Sequence, residues 1–385
     1  NGGFCPFWRE FGLSNLADLA TGGFEFKKIT ECILKLGAGN LKPASYTTAV
    51  GDQANTLADE AVALGFASNA SANSSIALGT NAASSGIAAL ALGYESNVNS
   101  ANAIAIGRQS KATAENAASF GSFAQASGNG SMALGANASA ESNTSIAIGF
   151  ESKVSGTNAI AIGANTSATC ANSFVLGAGA IANGDSAGAM GYMANTQGES
   201  AMAVGVQACA LGDNSLALGV SALTNGTDAI AIGTSSSSIN TNASSIGTNA
   251  SASGVNSMAF GANAKASGTN STAIGAQALA DQPNSFVIGP NTTACGVNAG
   301  AIGASANATG ESSLAIGVQS YAKQESSLAL GTNAKSIGTN STAIAVNASA
   351  TGANSMAIGY FSSSNGINSA ALSVQANATG NNSVA

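Results

Sequence analysis

Glycine returns at a fixed interval of fourteen residues, from Gly51 through Gly65, Gly79 and Gly93 to Gly331 and Gly359, with no insertion or deletion. Only Ala345 and Ser373 break the column, and both keep the phase. A unit this short cannot bury an apolar face of its own, so each must be one coil stacked on the next. The expectation is an all-β solenoid of about twenty-four coils, on the order of 110 Å at strand spacing. Function is then sought on its surface rather than in a pocket.

Residues 261–275 show the columns of one unit, Gly-Ala-Asn-Ala-Lys-Ala-Ser-Gly-Thr-Asn-Ser-Thr-Ala-Ile-Gly. Before each repeat Gly stands a large apolar residue, as at Leu64, Leu78, Ile106 and Ile148, and a second stands two residues earlier, as at Val62, Ile76, Ile104 and Ile146. That alternation has the period of a strand. We expect these large residues to line the inside of the coil. The residues between them are small, Ala133, Ala147 and Ala161 among them, and so is the preceding column of Ala and Ser. A strand with bulk on one face and only small groups on the other suits burial on both faces. The Ala face is accordingly expected to meet another copy of the chain, with Ala133, Ala147 and Ala161 as candidate trimer contacts.

A second strand follows the Gly. Ala264 and Ala266 belong to columns of small residues expected inside, whereas the column between them runs through Asn69, Lys111, Lys153, Cys209, Lys265 and Tyr321 and is expected to face solvent. Gly at the repeat position and again seven residues on, as at Gly128, Gly254 and Gly268, is expected to supply positive φ at two tight corners. Two five-residue strands and two corners use all fourteen residues and leave no room for a helix.

Composition narrows the function. The 385 residues include 48 Gly and only 8% charged residues, but 45% are hydrophobic, so the chain is expected to fold rather than remain disordered. A net charge of -7 without a clustered basic face argues against nucleic acid as a partner. No run of eighteen apolar residues is present, so no membrane-spanning helix is expected. The absence of His removes His-based triads and His metal sites, and the carboxylates Glu141, Asp185 and Asp213 do not recur at a coordinating spacing. Neither an enzymatic activity nor a cofactor or metal is expected.

The recurring Asn-Ser-x-Ala-Ile-Gly, as at 354–359, and the longer run Asn102-Ala-Ile-Ala-Ile-Gly-Arg-Gln-Ser110 resemble the head repeat of YadA-like trimeric autotransporter adhesins. The resemblance covers residues 45–385. It implies a left-handed parallel β-roll, a homotrimer about one axis, exposure outside the cell or at the outer membrane, and attachment to collagen, another matrix protein or a host surface. No heptad stalk, neck or membrane β-barrel is seen in this sequence, and residues 1–44 do not read as a secretory signal. The chain stops inside a repeat at Asn382-Ser383-Val384-Ala385, and further sequence is expected beyond it. An alternative is a structural fibre or spike of a virion, phage or surface layer, using the roll as a rigid spacer. Ice binding ranks last, because the outer column is not a regular array of Thr.

Two further regions are candidates for recognition. Residues 1–44, read as a separate N-terminal segment, hold Phe4, Phe7, Trp8 and Phe11, which either cap the open edge of the first coil or form a docking tip. Cys5 and Cys32 are the one intrachain disulfide proposed from the five Cys, since Cys170 and Cys209 lie coils apart. Directly after the repeat Gly come Phe66, Tyr94, Phe150, Tyr192 and Tyr360, a broken aromatic column suited to binding a surface ligand or to shielding the neighbouring corner.

Overall fold

A computed structural model describes residues 34–36 and 46–385. Its regular elements are short strands, paired in parallel, and each fourteen residues close one coil of a parallel β-solenoid. The chain forms two compact units, Asn1–Ser186 and Ala187–Ala385.

The coil that starts at Gly261 shows the local logic. After a first corner it runs through Lys265–Ala266, turns at a second corner, and returns through Thr272–Ile274. Strands of the second kind stack in each unit as a wide sheet, from Leu34–Leu36 to Phe174–Leu176 in the first and from Gly188–Met190 to Ala370–Ala371 in the second. Two-residue strands stack as a narrow sheet, from Asn55–Thr56 to Ile181–Ala182 and from Asn195–Thr196 to Asn377–Ala378. The strands are thus three and two residues long where five were expected, and corners take up the remainder.

Register follows the repeat. Thr272 faces Phe286, Ala273 faces Val287 and Ile274 faces Ile288. Every column of the repeat therefore becomes a continuous stack along its unit. Corners are bonded from coil to coil as well as strands, with the Lys265 N–H donating to the Ala278 carbonyl at 2.8 Å and the Asn270 N–H to the Val255 carbonyl at 2.8 Å. Backbone groups buried between coils are thereby satisfied.

The two glycines of a coil serve different ends. Gly261 has φ +140°, and a Cβ on it would lie 2.4 Å from the Gly275 carbonyl oxygen. Gly268 has no positive φ, contrary to expectation, but a Cβ there would lie 2.0 Å from the Gln282 carbonyl oxygen. Close approach of successive coils is what requires it. Left-handed conformations fall instead on Asn263 and Asn270, both at φ 57°. Asn tolerates this region because its short amide bonds locally. The motif's Ser also has a defined task, since the Ser257 hydroxyl donates to the Gly254 carbonyl at 2.7 Å and ties the second corner.

The core lies inside each coil and is made of small residues. Ala264, Ala266, Ser271 and Ala273 are all fully buried, and the largest fully buried side chains among the described residues are Val98, Val154, Val175 and Val287. This reverses the expected faces of the wide-sheet strand. Two strands this short, closed by two tight corners, leave a lumen that Ala and Ser fill and that Leu or Ile would overpack. Large apolar residues point out of the coil instead. The inward and outward columns of the narrow sheet are as expected, with Ala266 buried and Lys265 exposed.

Candidate interaction surfaces

The outer face of the wide sheet is the first surface the chemistry singles out. Columns that flank the buried Ala contain Leu64, Leu92, Leu134 and Leu176 in the first unit and Leu218, Ile246, Ile274 and Ile288 in the second, each 37–45% exposed. Strand after strand has the same burial pattern, with the middle residue inside and its two neighbours outside. A contiguous apolar sheet face of this kind is a surface for association.

Ala133, Ala147 and Ala161 do not belong to that surface. They are completely enclosed within a single chain. The expectation that they touch another chain is corrected by the small lumen, which draws them inward and turns Leu134, Ile148 and Ile162 out.

At the corner after the repeat Gly, Phe66, Tyr94, Phe150, Tyr192 and Tyr360 are 46–53% exposed. Each lays about half its surface on its own roll and offers the rest to solvent. In the second unit Tyr192 and Met193 are followed on the next coils by exposed Val206 and Val220. The Tyr360 and Phe361 rings meet edge to face with centroids 4.5 Å apart.

The first unit carries a polar cluster on the same corner. The Gln109 amide donates to Glu95 Oε2 at 2.6 Å, and the Arg108 guanidinium stands 5.3 Å from the centroid of the Phe123 ring. Hydrogen bonds from Tyr94 and then Gln109, with the Arg108 charge as a smaller cause, hold the Glu95 carboxyl below the usual range. Tyr94 is raised in turn, first by its hydrogen bond to Glu95.

Charges divide between the remaining surfaces. Lys111, Lys153, Lys265 and Lys335 stand on the outside of the narrow sheet, where Lys153 Nζ lies 3.6 Å from Glu141. Acidic residues gather at the second corner, where Asp213 Oδ1 accepts the Glu199 N–H at 2.9 Å. Among the described residues no group of three His, Cys, Asp or Glu could hold a metal ion, and no helix is long and apolar enough to cross a membrane. Cys170, Cys209 and Cys295 are free thiols, and burial raises Cys209 and Cys295. Phe4, Phe7, Trp8 and Phe11, with Cys5 and Cys32, lie outside the described residues.

One device escaped the sequence reading. The left-handed Asn residues of the second corner stack into a side-chain ladder, in which the Asn242 amide donates to Asn256 at 2.9 Å, Asn256 to Asn270 at 3.0 Å, Asn270 to Asn284 at 3.2 Å and Asn284 to Asn298 at 3.0 Å. Its signal was the Asn that opens every Asn-Ser-x-Ala-Ile-Gly motif.

Comparison with known proteins identifies the repeats. A family model described as the YadA head domain repeat matches successive segments from 44–68, 58–82 and 84–110 to 322–344 and 346–372. Among solved structures, the collagen-binding domain of the Yersinia adhesin YadA is similar at 21% identity, covering 50% of this chain and 68% of its own, with a TM-score of 0.19. No curated protein matches the chain. Repeated matches to one family model along most of its length show that the chain belongs to the YadA head-domain family.

Proposed function

We propose that this chain is the head of a surface-exposed adhesin, built as a homotrimer through the outer face of the wide sheet and attaching to a host-surface or matrix ligand. The observation that carries the assembly is the half-exposed Leu and Ile stack, which recurs at Leu134, Leu218 and Ile288. Covering it removes apolar area from water at roughly 25 cal/mol per Å². Three copies turned inward about one axis satisfy the face on every chain and leave no copy with an open patch. Membership of the YadA head-domain family supports the adhesin reading.

In this reading the corners and narrow sheet remain outside. Phe66, Tyr94, Phe150, Tyr192 and Tyr360 then form the lateral ligand-binding surface, and the boundary expected at residue 44 moves back, because Leu34–Leu36 already pairs with Thr48–Val50 in the wide sheet. The solved Yersinia relative is described as collagen-binding, which makes collagen the first matrix protein to try.

Sedimentation equilibrium of the chain measures the assembly, with three copies expected and a stable monomer at micromolar concentration refuting it. Binding to immobilised collagen and other matrix proteins measures the function. An adhesin with lateral sites loses binding stepwise as fourteen-residue units are removed. A fibre that uses the array only as a spacer shortens without losing binding, and that result would replace the present reading.

A further inference from the structure

Like Gly188, Gly300 departs from the large outward residues of the wide sheet in the second unit. This position stands in an outward column otherwise occupied by residues such as Met258, Phe286, Leu314 and Leu328. Gly300 opens the ordinary strand Gly300–Ile302 and has no positive φ, so backbone conformation does not call for glycine. Glycine inside a strand weakens it and marks a close approach by another group. Here that group is a side chain. A Cβ on Gly300 would fall 2.4 Å from both Cε1 and Cζ of Phe286 and 2.9 Å from Cδ1 of Leu314.

Phe286 is paired with Gly300 in register, one coil before it, and Leu314 one coil after. The ring therefore lies along the sheet and fills the place where a Gly300 side chain would stand. Gly300 is buried beneath it, as Gly188 is buried in the same column, whereas the longer side chains Met258 and Phe286 are 38% and 37% exposed. One oversized side chain and one missing side chain offset each other on adjacent coils.

We infer that Phe286 and Gly300 are a size-compensated pair that keeps the association face level, so that a second copy of this chain can pack on it without a step. The occupant is another copy because the same face repeats Ile274, Ile288 and Ile316 at regular spacing, and an identical face is periodic in the same way. The inference rests on the proposed assembly through the wide sheet. Upright, the Phe286 ring would stand above Thr272 and Leu314, which flank the pair on the coils before and after it. Without the ring, the Gly300 position would be a hole that neither chain could fill.

The test is a mutant cycle read as self-association of the full chain, by sedimentation equilibrium and by the rate of subunit exchange between labelled copies. Gly300→Ile ejects the ring from its seat and is expected to weaken association about tenfold or more, as overpacking does at a close-packed contact. Phe286→Ile opens the hole and should weaken it by about threefold. Phe286→Ile with Gly300→Ile restores a side chain of like size at both positions and should return to the affinity of the parent, the non-additivity expected of two residues in contact. Circular dichroism at low concentration reports whether each variant still folds. Should Gly300→Ile fail to fold, the double variant must still associate more tightly than Phe286→Ile alone.

Ile274→Glu on the same face separates the two levels of the argument. If Ile274→Glu assembles like the parent, the wide sheet is not the interface and the proposed assembly falls. If it abolishes assembly while Gly300→Ile is neutral, or while the double variant recovers nothing, the assembly stands and the levelling role of the pair is refuted.

Discussion

Ala133 and Leu134 are neighbours on one strand, and replacing each by Glu should break different things. Ala133 is fully enclosed inside its coil, with Ser119 and Ala147 directly below and above it. Ala133→Glu puts an unpaired carboxylate into a core of Ala and Ser. The uncompensated charge costs about 3–5 kcal/mol, and the added side-chain bulk about 1–3 kcal/mol more. The penalty falls on one coil and its contacts with the coils on either side, so the array should melt locally whether or not it is assembled. Leu134 is 43% exposed on the lone chain. Full burial of a Leu stabilises by about 1.5–3 kcal/mol, and a Glu stem keeps part of the contact, so Leu134→Glu should cost the isolated chain about 1 kcal/mol or less. At an interface between copies the same carboxylate is desolvated against apolar side chains, and association should fall by about a hundredfold or more. Thermal unfolding by circular dichroism at low concentration, with sedimentation equilibrium at high concentration, separates the effects. If Ala133→Glu unfolds like the parent while Leu134→Glu collapses the lone chain, the two faces of the strand have been exchanged and the account of the core is wrong.

Ala345 holds φ 113° in the column where every other coil but that of Ser373 has Gly. Ala345→Gly should therefore raise the midpoint of unfolding of the second unit, gaining about 1 kcal/mol from relief of strain. Asn270→Ala loses two rungs of the amide ladder and places Ala at φ 57°, so a local loss of about 1–2 kcal/mol is expected. Asn270→Gly, free of the backbone penalty, should lose less, and hydrogen exchange at the second corner would rank the two. Lys153→Glu removes the exposed pair with Glu141 and should change stability by less than about 0.5 kcal/mol in a thermal melt.

The period, the parallel stacking and the two corners were legible in the sequence because one column of Gly sets the register of every other column. The narrow sheet was also legible: its outer column admits Lys265, Cys209 and Tyr321, a tolerance that only solvent allows. What failed was the assignment of the wide-sheet faces. Period two separates Ile146 and Ile148 from Ala147, but alternation alone does not say which set is enclosed. The habit of placing large residues inside holds for a sandwich with its sheets about 10 Å apart. In a coil whose strands are three and two residues long, space decides instead, and Ala147 goes in. The roles of Gly268 and Gly300 were hidden for a related reason: both answer to atoms one coil away, Gln282 and Phe286, which local sequence does not display.

The coil-to-coil hydrogen bonds have a mechanical consequence. Within a unit they join each coil to the next along the direction of stacking, as from Lys265 to Ala278 and from Asn270 to Val255. A pull at the end of such a stack does not load every bond together but peels the last coil from its neighbour. Each rupture frees one fourteen-residue repeat, about 45–50 Å of extended chain, from a layer about 4.8 Å thick. Tension is then relieved in equal, small steps, and the coils still stacked stay intact. Such a stack is a built-in shock absorber for a load applied at its end, with its stroke set by the spacing of one glycine to the next.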